Sequence, residues 1–130
     1  MPGFQSLLLE AGLLGLIFLV LSLNVSRHRT SEKVLLGDGG PGHDKLLAAI
    51  RAQGNFAEYV PLILLLLAFC LEGGAAPRLV AWSGALLVIA RLLHAYGMAR
   101  PQPNLFRAAG AVLTWLVLLI AALAALALSL

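Results

Sequence analysis

Arg51-Ala-Gln-Gly-Asn55-Phe-Ala-Glu58-Tyr59-Val-Pro61 stands in the first half of an otherwise apolar run, residues 46–71. A run of that length crosses a bilayer, because about 20 helical residues at about 1.5 Å rise span the ~30 Å hydrocarbon core. Yet this half carries Arg51, Gln53, Asn55 and Glu58. On a helix turning about 100° per residue, Arg51, Asn55 and Glu58 fall on one face within roughly 60°. Tyr59 borders that face and Gln53 points nearly the opposite way. Glu58 stands roughly 18 Å along the helix from Leu46, close to the bilayer midplane. An ionised carboxylate at that depth is costly unless paired. The spacing leaves two readings open: an Arg–Glu pair that holds helices together, or a polar functional site inside the membrane.

The totals agree with a membrane setting. Of the 130 residues, 61% are hydrophobic and 12% charged, and the mean hydropathy is +0.95. Soluble domains carry roughly 25% charged residues, so the composition is that of an integral membrane protein. The length fits one domain, residues 1–130. The net charge of +3 is not read as a nucleic-acid footprint, because the basic residues lie between apolar runs, where they set orientation. A single cysteine, Cys70, excludes an internal disulfide framework and reads as a buried, inert thiol.

Three further apolar runs flank the first: residues 6–25, 79–99 and 105–128. Together they predict an all-α membrane protein, a bundle of four transmembrane helices. Arg27 and Arg29 follow the 6–25 run and no Lys or Arg precedes it, the reverse of a cleaved signal peptide. Glu10 is expected to be exposed or interfacial at the outer end of that helix. The polar stretch 26–44 contains Gly37-Asp-Gly-Gly-Pro-Gly42, a turn rather than a phosphate loop, since no strand precedes it and no Gly-Lys-Ser/Thr follows. His28 and His43 lack metal-ligand spacing and read as solvated loop residues. Pro61 predicts a local kink. Trp82 marks an outer interface, and Arg91 and His94 share a face at i and i+3. Small residues along 108–125 allow close helix approach in lipid.

The loops after the first and third runs hold Arg27, Arg29, Lys33, Lys45, Arg100 and Arg107, while the other connection holds only Arg78. Positive-inside bias then puts both basic loops in the cytoplasm and both termini outside. Arg51, Asn55, Glu58, Arg91, His94 and Arg107 fall in the same, cytoplasmic half. Arginines suit carboxylates through bidentate contacts, and Glu58 and Asn55 suit an amine and amides. An anionic or zwitterionic, peptide-like ligand fits this mixture. A metal does not, with one carboxylate and one histidine, and no Ser–His–Asp arrangement is present. Four short helices leave little interior room, so a site between subunits is plausible.

The stretch Arg51–Pro61 resembles the helix-two signature of the MAPEG family, the membrane-associated proteins of eicosanoid and glutathione metabolism. Arg91-Leu-Leu-His94 and Arg107 resemble its helix-three and helix-four features, and the resemblance covers essentially the whole chain. In character it is nearest the short bacterial members, similar to the microsomal glutathione transferases. The resemblance implies a homotrimer in the bacterial inner membrane with periplasmic termini. It also implies glutathione as co-substrate, bound between neighbours near the cytoplasmic face, and a lipophilic small-molecule substrate arriving from membrane lipid. Carried over by position, Arg51, Asn55, Glu58 and Tyr59 contact the tripeptide, Gln53 does so from the neighbouring subunit, and His94 contributes from helix three. Arg107 matches the arginine near the sulfur. Arg27 or Arg29 matches a helix-one arginine for a glutathione carboxylate. The sequence departs from the family at Met98, where a prostaglandin-forming member has tyrosine, and at Tyr96, which matches the leukotriene-forming member's tyrosine only after a one-residue shift.

The mechanism so implied is thiol activation. A free thiol with a pKa of about 8.5 is mostly protonated at neutral pH, and an adjacent cation favours the thiolate. That thiolate then attacks a lipophilic electrophile or reduces a lipid hydroperoxide, with Arg107 as the activating cation. The alternative is a non-catalytic lipid- or glutathione-binding scaffold of the same fold. A transporter is disfavoured by the lack of an inverted repeat or broken helix pair. The topology makes a direct prediction: single cysteines placed in 37–42 should react with membrane-impermeant maleimide only after the cells are opened. Labelling in intact cells would reverse the orientation and move the polar half to the outer leaflet.

Overall fold

The structure is a computed structural model and describes residues 2–130. It contains helices α1 (Pro2–Glu32), α2 (Asp44–Glu72), α3 (Pro77–Met98) and α4 (Leu105–Leu128), with no strand among the described residues. All four are long and apolar enough to cross a membrane. This is a multi-pass, all-helical membrane protein.

Local chemistry explains the helix ends. Lys33 closes α1 with φ +57°, and a run of left-handed glycines at 37, 39, 40 and 42 carries the chain across to α2. After α2, the Gly73 amide donates to the Phe69 carbonyl and the Ala75 amide to the Cys70 carbonyl. Pro77 then stands in the first turn of α3, where its missing N–H costs nothing. Asn104 caps α4, its side-chain oxygen accepting from the Arg107 amide at 3.0 Å. α2 runs without interruption through Pro61. α1 is longer than its apolar run at both ends, and its 31 residues reach about 46 Å, well past the hydrocarbon core.

α2 and α3 form the central pair. Each touches every other helix, while α1 and α4 do not pack on one another. The core comprises Leu14, Ile63, Leu67, Val80, Leu87 and Val117, with Phe18 of α1 stacked on Phe56 of α2 at 5.3 Å between centroids. Leucines and valines cover the outward faces, as a helix surrounded by lipid requires. Cys70 is buried as expected, its thiol directed at the Ala121 carbonyl at 3.5 Å.

Three side chains depart from expectation. Glu10 is buried, its carboxylate packed onto Gly84 of α3, where a Cβ would collide with it. A glycine on the facing helix, invisible to a reading of α1 alone, makes the room. His28 and His43 are not free in solvent, because both meet Glu32, at 3.2 Å within α1 and at 2.6 Å across to the start of α2.

α3 and α4 make the closest crossing. A Cβ on Gly110 would lie 2.5 Å from the His94 amide nitrogen and 2.6 Å from the Ala90 carbonyl oxygen. Both are backbone atoms that cannot swing aside. Gly110→Ala should therefore push α4 away and destabilise the bundle by roughly 1–3 kcal/mol, the usual cost of overpacking. Unfolding in mixed detergent micelles measures it, with Gly15→Ala, which meets open space, as the neutral comparison.

Candidate functional site

The polar residues of α2 and α3 separate into an inner and an outer group. Arg91 is the centre of the inner one and is 1% exposed. Its Nη1 donates to Asn55 Oδ1 of α2 at 2.8 Å and to Thr114 Oγ1 of α4 at 3.5 Å. Its Nη2 faces His94 Nδ1 at 3.3 Å. A guanidinium only donates, so His94 accepts through Nδ1 and carries its proton on Nε2. The Phe56 ring lies 5.3 Å from the guanidinium carbon, in cation–π range. Thr114 passes its own hydroxyl proton to the Gly110 carbonyl at 2.7 Å. No carboxylate pairs with Arg91 among the described residues, and its Nε is buried without a partner.

The outer group lies on the surface of the protomer. Arg51 Nη1 and Glu58 Oε1 are 3.8 Å apart, with side chains 57% and 54% exposed. Asn55 stands between them in sequence and is half-buried. Its oxygen is committed to Arg91, and its amide nitrogen has no partner among the described residues. Tyr59 is half-buried against the core. The expected Arg51–Asn55–Glu58 face is thus present, but Asn55 is anchored inward while the charged pair faces out. Gln53 lies on the opposite side, where its Nε2 donates to Ser22 Oγ of α1 in the same protomer at 3.2 Å.

Arg107 is exposed at the start of α4, with Nη1 donating to Gln102 Oε1 at 3.3 Å. Its position is fixed by the turn below it. Gln102 and Asn104 both donate to the Gly97 carbonyl, at 2.7 and 2.8 Å, and Gly97 packs against the Arg107 backbone. A depression of about 260 Å³ lies at this corner, bounded by Gln102, Asn104, Arg107 and Ala111. Tyr96 lies outside, between the Phe106 ring at 4.9 Å and the Arg100 guanidinium at 4.5 Å. It is 46% exposed whereas His94 is 4% exposed, so the two face different surroundings, as their angular separation predicts. On α1, Arg29 is occupied by loop carbonyls, while Arg27 is exposed.

Within one protomer these residues do not close around a cavity. A groove of about 420 Å³ between α1 and α3 is lined by apolar side chains such as Leu13, Ile17, Val88 and Leu92. Sequence reasoning missed Thr114 and the paired Gln102 and Asn104. Thr114 is the one hydroxyl in α4, and Asn104 precedes an apolar run where a helix cap belongs, so both signals were available.

The model of the MAPEG family matches residues 7–127, nearly the whole chain. The chain belongs to the MAPEG family. Among its relatives is the inner membrane protein YecN of Escherichia coli strain K12, 38% identical over 118 residues that cover 89% of this chain and 86% of that protein. YecN of Escherichia coli O6:H1 strain CFT073 matches to the same extent. The polar residues of this MAPEG chain are therefore set in a four-span frame, with Arg91 inside and Arg51, Glu58 and Arg107 outside.

The inner group predicts its own energetics. Arg91→Lys keeps a charge but cannot reach Asn55, His94 and Thr114 together. It should cost about 2 kcal/mol or more, the scale of a hydrogen bond to a charged group with polar partners left unmet. Arg51→Gln, at an exposed pair, should change protomer stability by less than about 1 kcal/mol. Detergent unfolding of both variants beside wild type measures the contrast. Equal losses would contradict the division into inner and outer groups.

Proposed function

We propose that this protein is a glutathione transferase of the bacterial inner membrane, working as a homotrimer with both termini periplasmic. The observation that carries the reading is the outward-facing pair Arg51–Glu58, exposed on a helix that crosses the membrane. Charges at that depth are not left to lipid. A second copy of the chain, with a polar ligand between the two, supplies the cover that one protomer lacks. The family and the inner-membrane name of the YecN relatives support the setting.

In this reading glutathione lies in the seam. Arg51 and Arg27 take its carboxylates, Glu58 takes its amine, and the free amide N–H of Asn55 donates to a peptide carbonyl. Tyr59 and Tyr96 complete the surroundings, and the neighbouring copy contributes its Gln53, which Ser22 holds at the edge of α1. His94 acts from inside, through the Arg91 cluster. Arg107 places its charge beside the sulfur and lowers the thiol pKa from about 8.5. The thiolate sulfur forms a bond to an electrophilic carbon and displaces its leaving group, or it attacks the outer oxygen of a hydroperoxide and breaks the O–O bond. In the second case the alkoxide leaves as the alcohol with a proton from water, and the glutathione sulfenic acid is reduced by a second glutathione to the disulfide and water. Lipophilic acceptors arrive through the apolar outer faces of the helices.

The test separates binding from activation. Arg107→Ala should keep most of the glutathione affinity and lose transfer to an aromatic halide at neutral pH. Part of the rate should return at high pH, where the thiol ionises unaided. Coincident pH–rate profiles for wild type and variant would remove Arg107 from the sulfur. Glutathione binding without turnover of any electrophile, in the wild type as well, would make the protein a scaffold of the same fold.

A further inference from the structure

Leu35 and Leu36 are each 88% exposed, at the end of the segment that leaves α1. Two adjacent leucines held out in water are unfavourable, yet the segment around them is firmly built. Lys33 turns the chain back at φ +57°. Val34 then packs on the small cluster of Val25, Leu46 and Ala49. Its amide donates to the Arg29 carbonyl at 3.0 Å. The Arg29 guanidinium donates to the carbonyls of Val34, Leu35 and Gly37, at 3.4, 3.5 and 2.8 Å.

These contacts set the depth of the two leucines. Val25 is the last residue of the apolar run, and Arg29 lies about 6 Å farther along the helix. In sequence, Leu35 and Leu36 sit between Val34, packed on the cluster that contains Val25, and Gly37, held by Arg29. They are therefore tethered near the end of the apolar run at Val25, within reach of the membrane boundary which that end marks. The three carbonyls held by Arg29 also remove the main obstacle to backbone approaching lipid, an unpaired acceptor.

We propose that Leu35 and Leu36 form a lipid-inserting tip, which penetrates the interface of the leaflet on its own side. The exposed cations Lys33 and Lys45 flank the segment in sequence and match anionic headgroups. Asp38 and Asp44 are exposed, and Asp38 accepts from the Gly40 amide at 3.0 Å. The partner is the bilayer itself, bound by burial of the two side chains and by charge.

Site-directed nitroxides test this in the full-length protein. Labels are placed singly at positions 35, 36 and 38 in a Cys70→Ala background. The protein is held in nanodiscs of phosphatidylethanolamine and phosphatidylglycerol. Collision with molecular oxygen, which concentrates in lipid, is compared with collision with a water-soluble nickel chelate. The oxygen-to-nickel ratio should be several-fold higher at 35 and 36 than at 38. Equal ratios at all three positions would put the leucines in water and overturn the proposal. Low collision with both reagents at 35 and 36 would also overturn it, by showing that protein from a second copy covers them.

Discussion

Arg91 brings a full positive charge to a position 1% exposed, and no carboxylate meets it among the described residues. A buried charge without an opposite one is tolerated only when its donors are met by well-placed polar groups. Here those groups come from three helices, Asn55 of α2, His94 of α3 and Thr114 of α4, with the Phe56 ring in cation–π range. The contact with His94 lies within α3, but those with Asn55, Phe56 and Thr114 cross to α2 and α4 and do not survive a slide of one helix along another. The guanidinium fixes the register of the bundle in a way that the leucine and valine contacts cannot. Those contacts are interchangeable in lipid, which is as apolar as they are.

The glycines follow from the same requirement. Thr114 reaches Arg91 because Gly110, one turn before it, lets α4 lie against the backbone at Ala90 and His94. Farther along the same crossing, Gly97 meets the backbone of Arg107, and its carbonyl gathers the side chains of Gln102 and Asn104. The tight α3–α4 contact thus delivers a hydroxyl to the core at one point and an exposed cation at the other. α1 joins more loosely, through the Phe18–Phe56 stack and the Gln53–Ser22 contact. The Glu10 carboxylate is accommodated by Gly84.

The four spans were legible because the bilayer imposes length and apolarity on each segment, and both are properties of one stretch at a time. The Arg51–Glu58 relation was legible for a similar reason, since helical geometry alone puts the two on one face, and they pair at 3.8 Å. What could not be read depended on facing helices. Nothing in α1 shows that Gly84 lies opposite Glu10, and nothing in the 26–44 stretch shows that the chain will fold back to bring His43 onto Glu32. The division of the polar residues into inner and outer groups was hidden for the same reason. Arg91 and Arg51 look alike in sequence, and only the packing of α2 and α4 on α3 buries one and leaves the other outside.

Asn55 belongs to both groups, and it couples the fold to the candidate site. An amide side chain offers an oxygen that accepts and a nitrogen that donates. Arg91 can only donate, so it takes the oxygen, at 2.8 Å. The nitrogen is then left for whatever lies along the outer face between Arg51 and Glu58. The buried cation thereby decides that this position of the outer face presents a donor and not an acceptor. Beside it Arg51 also donates and Glu58 accepts, a pattern that under the proposed function matches a partner rich in acceptors that carries one donor or cation. That pattern is set by the core and not by the exposed residues alone, so a change at Arg91 frees the Asn55 amide to turn and alters the hydrogen-bonding pattern of a surface the arginine never touches.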